Sequence, residues 1–213
     1  MELAWEIAVD SAIASACSLE GIRVDQAMIE EASDRAVEAF APDAYAYMVE
    51  HLCGDPATTA RVIQRRREMT RDLDVFQMRP DMPALLRRLA GRGLKLAVVA
   101  NQPAGMAERL KREGIADLFA YLGLSETTGL RKPDPCAFTA AAEALGVAPA
   151  QCIMVGDRID NDIVPAKSLG MAAVLFRGGR HRKQRPRGPA EEPDAVVTDV
   201  MELEAALLAL LAQ

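Results

Sequence analysis

Three charged residues sit where a fold can put an ammonium and two carboxylates to chemical use. Lys132 lies in the stretch GLRKPD, residues 129–134, and Asp157 and Asp162 lie in IMVGDRIDND, residues 153–162. Asp157 follows a short apolar run, with Gly156 giving the turn, and Asp162 comes five residues later at the start of a helical stretch. Two carboxylates beyond a strand end can converge on one hard cation, and Mg²⁺ favours such oxygen ligands. Asn161 and Asp162 also suit plain helix N-caps. That plain reading suits Asp157 much less well, because a turn after a buried strand does not need a carboxylate. Lys132 is held between Arg131 and Pro133, in a loop that Pro133 and Pro135 stiffen. An ammonium so aimed can pair with the oxygens of a transferring phosphoryl group. A solvated surface lysine is the alternative, and the order strand, KPDP loop, helix, strand, GDxxxND weighs against it.

The elements that position these residues change character near residue 78. Before it the pattern is helical throughout. Leu3, Ile7, Ala8, Ala12 and Ser15 share one helical face, ended by Gly21. Asp25 caps a second helix with Met28, Ile29, Ala32, Ala36, Val37 and Phe40 as its stripe. Pro42 opens a third at its first position and Pro56 a fourth. Residues 1–76 are therefore expected to form an all-helical domain, and residues 77–213 an α/β domain. In the second part, apolar runs at 94–100, 119–124, 152–155, 172–176 and 195–197 alternate with helical stretches at 81–89, 104–113, 135–145, 161–169 and 201–211. Such alternation implies a parallel sheet with right-handed crossovers, and ligands in such sheets sit beyond the carboxyl ends of the strands.

Composition narrows the partners. A chain of 213 residues, half of them apolar, can bury a full core. A net charge of −6 argues against nucleic acid. The basic stretch RGGRHRKQRPR, residues 177–187, lacks interleaved aromatics and reads as a mobile surface loop. Cys17, Cys53, Cys136 and Cys152 are far apart, and three of them sit in helix-like or strand-like runs, which reads as reduced, buried thiols of a cytoplasmic protein. No apolar run approaches the ~18 residues of a membrane span. The first residues lack the basic start of a signal peptide.

Three segments carry a family resemblance: LKLAVVANQP, GLRKPDPCAF and IMVGDRIDNDIVPAKSLGM. In this order they resemble the second, third and fourth motifs of haloacid dehalogenase-like (HAD) hydrolases. The likeness runs from about Met78 to Leu203, and the helical block before residue 76 resembles the helical cap of one subgroup. The resemblance implies a Rossmann-like parallel sheet flanked by helices, and a Mg²⁺-dependent phosphatase acting on a small phosphorylated metabolite through an aspartyl-phosphate. Carried over by position, Asp157 is a magnesium ligand and Asp162 completes the acidic pair, directly or through water. Lys132 binds the phosphoryl group and steadies the nucleophile. Ala100 stands at the second motif's Ser/Thr position, so the backbone N–H groups of Asn101 and Gln102 take over part of that contact.

The first motif, an apolar strand ending in DxD and a Gly-Thr turn, has no counterpart here. Asp10 sits in a helical pattern with no second carboxylate two residues on. Asp72 and Asp74 are followed by Val75 and Phe76. Neither is read as the nucleophile. Met1 is expected to be internal to a longer reading frame lacking about twenty to thirty residues here, with a natural pseudoenzyme as the second account. The chain as written is then expected to be nearly inactive and to bind magnesium weakly through Asp157. A non-catalytic HAD-like binding protein remains the alternative. A haloacid dehalogenase is a lesser one, because that chemistry needs no metal. In the family topology the missing strand is central, which leaves the strands ending at Ala100 and Val155 flanking a gap and open to self-association. The substrate is unreadable: Tyr45, Tyr47 and residues 65–67 are candidates to face it, and residues 65–67 equally suit a solvated helix face.

Overall fold

A computed structural model describes residues 2–75 and 77–212, without the side chains of Glu2 and Leu3. Phe76, where the sequence reading ends the helical block, and the side chain of Leu3 lie outside the described residues. The chain falls into two compact units. Met1–Gln77 together with Gly178–Gln184 make one, and Met78–Arg177 together with Arg185–Gln213 make the other.

The first unit contains α1 (Glu2–Leu19), α2 (Gln26–Glu38), α3 (Ala44–Cys53) and α4 (Pro56–Thr70). Asp25, Asp43 and Asp55 each accept a backbone N–H three residues on and so cap α2, α3 and α4. Pro56 opens α4 as the sequence implies, but Pro42 does not open α3, because Asp43 takes the cap and the helix begins after it. The core is built from Val9, Ile13, Ala16, Cys17, Ile29, Ala32, Ala36, Met48, Val49 and Val62. Helix α1 thus turns a different face inward from the one its periodicity implies, and Ile7 is exposed. The helix is so uniformly apolar and Ala-rich that its sequence fixes the phase of the stripe poorly.

The stretch 177–187 is not a mobile surface loop. Residues Arg180–Lys183 form a short 3₁₀ turn, and Arg180 and Gln184 are buried. Arg180 donates to Asp10 at 2.6 Å and to Ser33 Oγ at 2.5 Å, its backbone N–H donates to Glu6, and its guanidinium lies 4.9 Å from the Tyr45 ring centre. Lys183 pairs with Asp34 at 2.7 Å. The like charges do not repel the segment into solvent, because α1 and α2 supply acids that sequence periodicity cannot place beside it. Burial raises the Asp10 carboxyl above its ordinary value, with Arg180 pulling the other way. Asp10 is therefore a structural partner of Arg180, in a helix. Nearby, Arg66 is buried with its guanidinium 5.7 Å from the Tyr45 ring centre, and Arg65 pairs with Glu20.

The second unit is α/β. Strand β1 (Leu96–Ala100) pairs in parallel with β2 (Phe119–Leu124). Strand β3 (Ile153–Gly156) pairs in parallel with β4 (Ala172–Phe176), and β4 with β5 (Ala195–Val197). The helices are α5 (Met82–Gly91), α6 (Met106–Arg112), α7 (Ser125–Thr128), α8 (Pro135–Leu145), α9 (Val164–Ser168) and α10 (Val200–Leu211). Helix α5 packs on α10, and α8 on α9. Leu85, Leu89, Val174, Phe176, Val197, Leu203 and Leu207 bury one another where α5 and α10 meet β4 and β5. The five strands form two sheets, β1-β2 and β3-β4-β5, and β1 and β3 do not pair. Strand β4 is buried over most of its length, whereas every residue of β1 and β3 is only half-buried. No helix among the described residues is long and apolar enough to cross a membrane.

Candidate active site

A chain of polar contacts links the ends of β1 and β3. Asn101, just past β1, clamps the Lys132 main chain from both sides. Its Nδ2 donates to the Lys132 carbonyl at 2.8 Å, and its Oδ1 accepts from the Lys132 N–H at 2.9 Å. The Lys132 ammonium then donates to Asp162 Oδ1 at 2.7 Å. The other oxygen, Oδ2, accepts from the backbone N–H groups of Asp157 at 3.1 Å and Arg158 at 3.0 Å, just past β3. One ammonium and two backbone amides donating to one carboxylate make this a charge-assisted network.

Local sequence explains the placement. Ile159–Ile163 is a single π-type turn that bulges the backbone before α9, so the helix starts later than the pattern around Asn161 implies. The turn folds Asp162 back over Gly156. A Cβ built on Gly156 would lie 2.4 Å from the Asp162 Cβ, Cγ and Oδ2 atoms. Only glycine leaves room for the carboxylate there. Asp162 does not cap its own helix, because the N–H groups it accepts precede it in the chain. On the other side, Asp134 caps α8, Pro135 fills its first turn and left-handed Gly146 ends it, which fixes the loop carrying Lys132.

Asp162 is 1% exposed and the Lys132 side chain 12%. Neither charge is stable at that depth without the other, since an uncompensated buried ion costs several kcal/mol. Arg158 pairs with Asp160 at 2.6 Å at the edge of the turn.

Lys132, Asp157, Asp162 and Asn101 therefore meet at one place. Asn101 acts there through its side chain, a role that the backbone-donor reading missed and that no local pattern announces. The Gln102 carbonyl accepts from Ser125 Oγ and from the Glu126 N–H, and Gln102 lines a hollow of about 360 Å³ with Asn101, Ser125, Glu126 and Arg131.

Between β1 and β3 lies a larger cavity of about 710 Å³. Val98, Val99, Ile153 and Val155 line it from the strands, and Lys132, Asp157 and Asp162 line it as well.

Magnesium fits these residues poorly as they stand. Among the described residues no group of three or more His, Cys, Asp and Glu side chains is placed to hold a metal ion. Both oxygens of Asp162 are already engaged by an ammonium and two amides. A cage of six oxygens with two or more carboxylates free to coordinate is not assembled by this pair alone.

The comparisons agree with this picture. The chain is 38% identical over 125 residues to glyceraldehyde 3-phosphate phosphatase of Methanopyrus kandleri, covering 58% of this chain and 54% of that one. It is 34% identical over 145 residues to phosphoserine phosphatase of Thermus thermophilus, covering 66% and 57%. The chain thus spans a little over half the length of either relative. The crystal structure of a HAD phosphatase from Thermococcus onnurineus superposes with a TM-score of 0.59 at 24% identity, covering 95% of this chain and 89% of that one, a likeness of fold. The model of the family described as hydrolase, haloacid dehalogenase-like hydrolase, matches residues 10–170. With most of its length matched, and with Lys132, Asp157 and Asp162 gathered at the strand ends, the chain belongs to the haloacid dehalogenase-like hydrolases.

Proposed function

We propose that this chain carries the phosphoryl-binding part of a phosphatase for a small phosphorylated metabolite. The observation that carries the reading is the Lys132–Asp162 ion pair, held at the ends of β1 and β3 beside Asp157. The relatives named above act on phosphate esters, which supports the same substrate class here. In this reading Lys132 offers its ammonium to the phosphoryl oxygens, and part of its contact with Asp162 is exchanged for the substrate. Asp162 keeps the lysine oriented and holds the turn after β3. Asn101 fixes the Lys132 backbone, so the ammonium arrives without reorganisation.

The covalent step through an aspartyl-phosphate needs an attacking carboxylate beside Lys132. Asp10 is occupied by Arg180 in the helical unit, and Asp162 is occupied by Lys132 itself. We therefore assign to the 213-residue chain phosphate binding without turnover. A binding protein without hydrolase activity is the second reading, favoured by the full engagement of Asp162.

Inorganic phosphate binding by calorimetry, beside hydrolysis of an aryl phosphate with and without magnesium, tests both. Binding that Lys132→Met weakens at least tenfold, with no turnover, is the expected result. Phosphate affinity unchanged in Lys132→Met overturns the site. Robust hydrolysis by this polypeptide overturns the assignment of binding without turnover and makes Asp10→Asn the first variant to examine.

A further inference from the structure

Helix α4 turns one stripe inward: Thr59, Val62, Arg66 and Thr70, on successive turns, are buried. The third place holds a charge where the spacing calls for an apolar side chain. Arg66 is 8% exposed, and its Nε has no hydrogen-bond partner among the described residues. Its guanidinium lies 5.7 Å from the Tyr45 ring centre, and among the described residues no carboxylate pairs with it. The acids around it are taken. Asp43, which attracts Arg66, caps α3 by accepting the Ala46 N–H, and Glu68 accepts from Gln64 at 2.6 Å. Glu20 holds Arg61 and Arg65. Burial lowers the Arg66 pKa below its ordinary value, against the pull of Asp43, and the like charge of exposed Arg67 adds to the fall.

Arg180 meets the same ring in a different state. Its guanidinium lies 4.9 Å from the Tyr45 ring centre, but Asp10 and Ser33 occupy its two Nη groups. A paired buried cation can hold a fold together, whereas an unpaired one destabilises it, and an apolar side chain of similar volume in its place would not. Arg66 thus weakens the helical unit unless something else supplies the anion. We infer that Arg66 is a ligand-binding residue of the helical unit and takes the carboxylate group of a small molecule, with the Tyr45 ring backing its guanidinium. Three features select that ligand. One guanidinium carries one charge, which one carboxylate neutralises. The unpartnered Nε and a neighbouring Nη form a planar fork that matches two carboxylate oxygens. A phosphate group would bring a second charge and a third oxygen, more than one fork can match. Stacking alone holds the guanidinium, so turning its free edge to a ligand costs little. The site lies within the helical unit and does not rest on the phosphatase reading.

The test titrates sodium acetate into the whole chain, against sodium chloride at matched ionic strength. NMR follows the Arg66 Nε–H resonance, assigned by its loss in Arg66→Lys, together with the Tyr45 ring protons. A saturable shift of both with a Kd in the millimolar range is expected, with slower exchange of the Nε proton. Arg66→Lys keeps the charge but not the fork, and is expected to weaken acetate binding about tenfold at the Tyr45 ring. Arg67→Met removes the same charge one residue on, and is expected to leave acetate binding within about twofold. Stability is the second readout. Arg66→Met is expected to raise the thermal midpoint of the acetate-free chain and to abolish the rise that acetate gives the wild type. Several results would overturn the inference. These are a shift linear in acetate or matched by chloride, inorganic phosphate bound more tightly than acetate, and acetate binding unchanged in Arg66→Met. A fall in thermal midpoint in Arg66→Met would make the arginine structural. An Nε proton already protected without acetate would assign the place to a bound water.

Discussion

Gly156→Ala is the sharpest probe of the site, because it adds one methyl group and removes nothing. The added Cβ would sit 2.4 Å from three atoms of Asp162, well inside contact distance. Gly156 is not among the glycines with positive φ, so the effect is steric and not conformational. Asp162 cannot yield cheaply: it is 1% exposed and holds the Lys132 ammonium and the Asp157 and Asp162-facing Arg158 amides. Overpacking costs about 1–3 kcal/mol, and leaving one of these buried partners unsatisfied costs about 1–3 kcal/mol more. A loss of about 3 kcal/mol is the expected sum, roughly a hundredfold in the folded-to-unfolded ratio. In urea titration followed by circular dichroism, that is a fall in midpoint of about 1–2 M at a typical slope. Gly91→Ala is the control, since nothing lies within 4 Å of a Cβ there and the residue ends α5 in ordinary helical geometry. It should be neutral or slightly stabilising. Asp162→Gly, which removes all three clashing atoms, should make Gly156→Ala nearly silent, because the two changes act on one contact. If Gly156→Ala unfolds within about 0.5 kcal/mol of the wild type, or if the two substitutions add, the close packing of turn and carboxylate is not what the geometry indicates.

Other perturbations follow from the same ion pairs. Lys132→Met should destabilise the α/β unit by about 3 kcal/mol, measured by urea unfolding, since it strands the buried Asp162 charge. Arg180→Met should cost a similar ~3 kcal/mol and expose the 178–184 segment to limited proteolysis, and an unchanged cleavage pattern would count against an ordered segment. Asp194 sets a pH dependence. Burial opposes its ionisation, but Lys167 at 2.5 Å and the Ala173 N–H outweigh it and hold the carboxyl below its ordinary 3.8. Folded Asp194 thus binds fewer protons than unfolded. Its stabilisation is complete above the ordinary value and drains away as pH falls from about 4 through the lowered folded value. Asp194→Asn should flatten that part of the acid-unfolding curve.

Much of the fold is legible because its signals are local. Helix α8 runs from Pro135 to Leu145 as the sequence implies, since Asp134, Pro135 and Gly146 are start and stop signals in themselves. Strands β2, β4 and β5 follow their apolar runs equally well. The α/β class, and the meeting of Lys132 with Asp157 and Asp162, follow from motif order. What the sequence conceals depends on distant partners. Asn101 clamps a backbone thirty-one residues away, and Arg180 finds Asp10 across 170 residues. The π-type turn at Ile159–Ile163 is set by how Asp162 folds over Gly156, a matter of close packing that periodicity does not encode. The phase of α1 is hidden for the opposite reason, because nearly every face of it is apolar enough to be buried.

The allotment of Gly178–Gln184 to the helical unit also bears on the order of events during synthesis. The chain leaves that unit after Gln77, builds four strands of the other, and only then delivers Arg180. Until it arrives, the partners on α1 and α2 wait for their cation. At translation rates of about 5–20 residues per second, the interval lasts on the order of five to twenty seconds. The first unit to emerge from the ribosome therefore cannot be completed until most of the second has been made. A cut after residue 77 would yield a piece whose acids lack their arginine, whatever the quality of its apolar core.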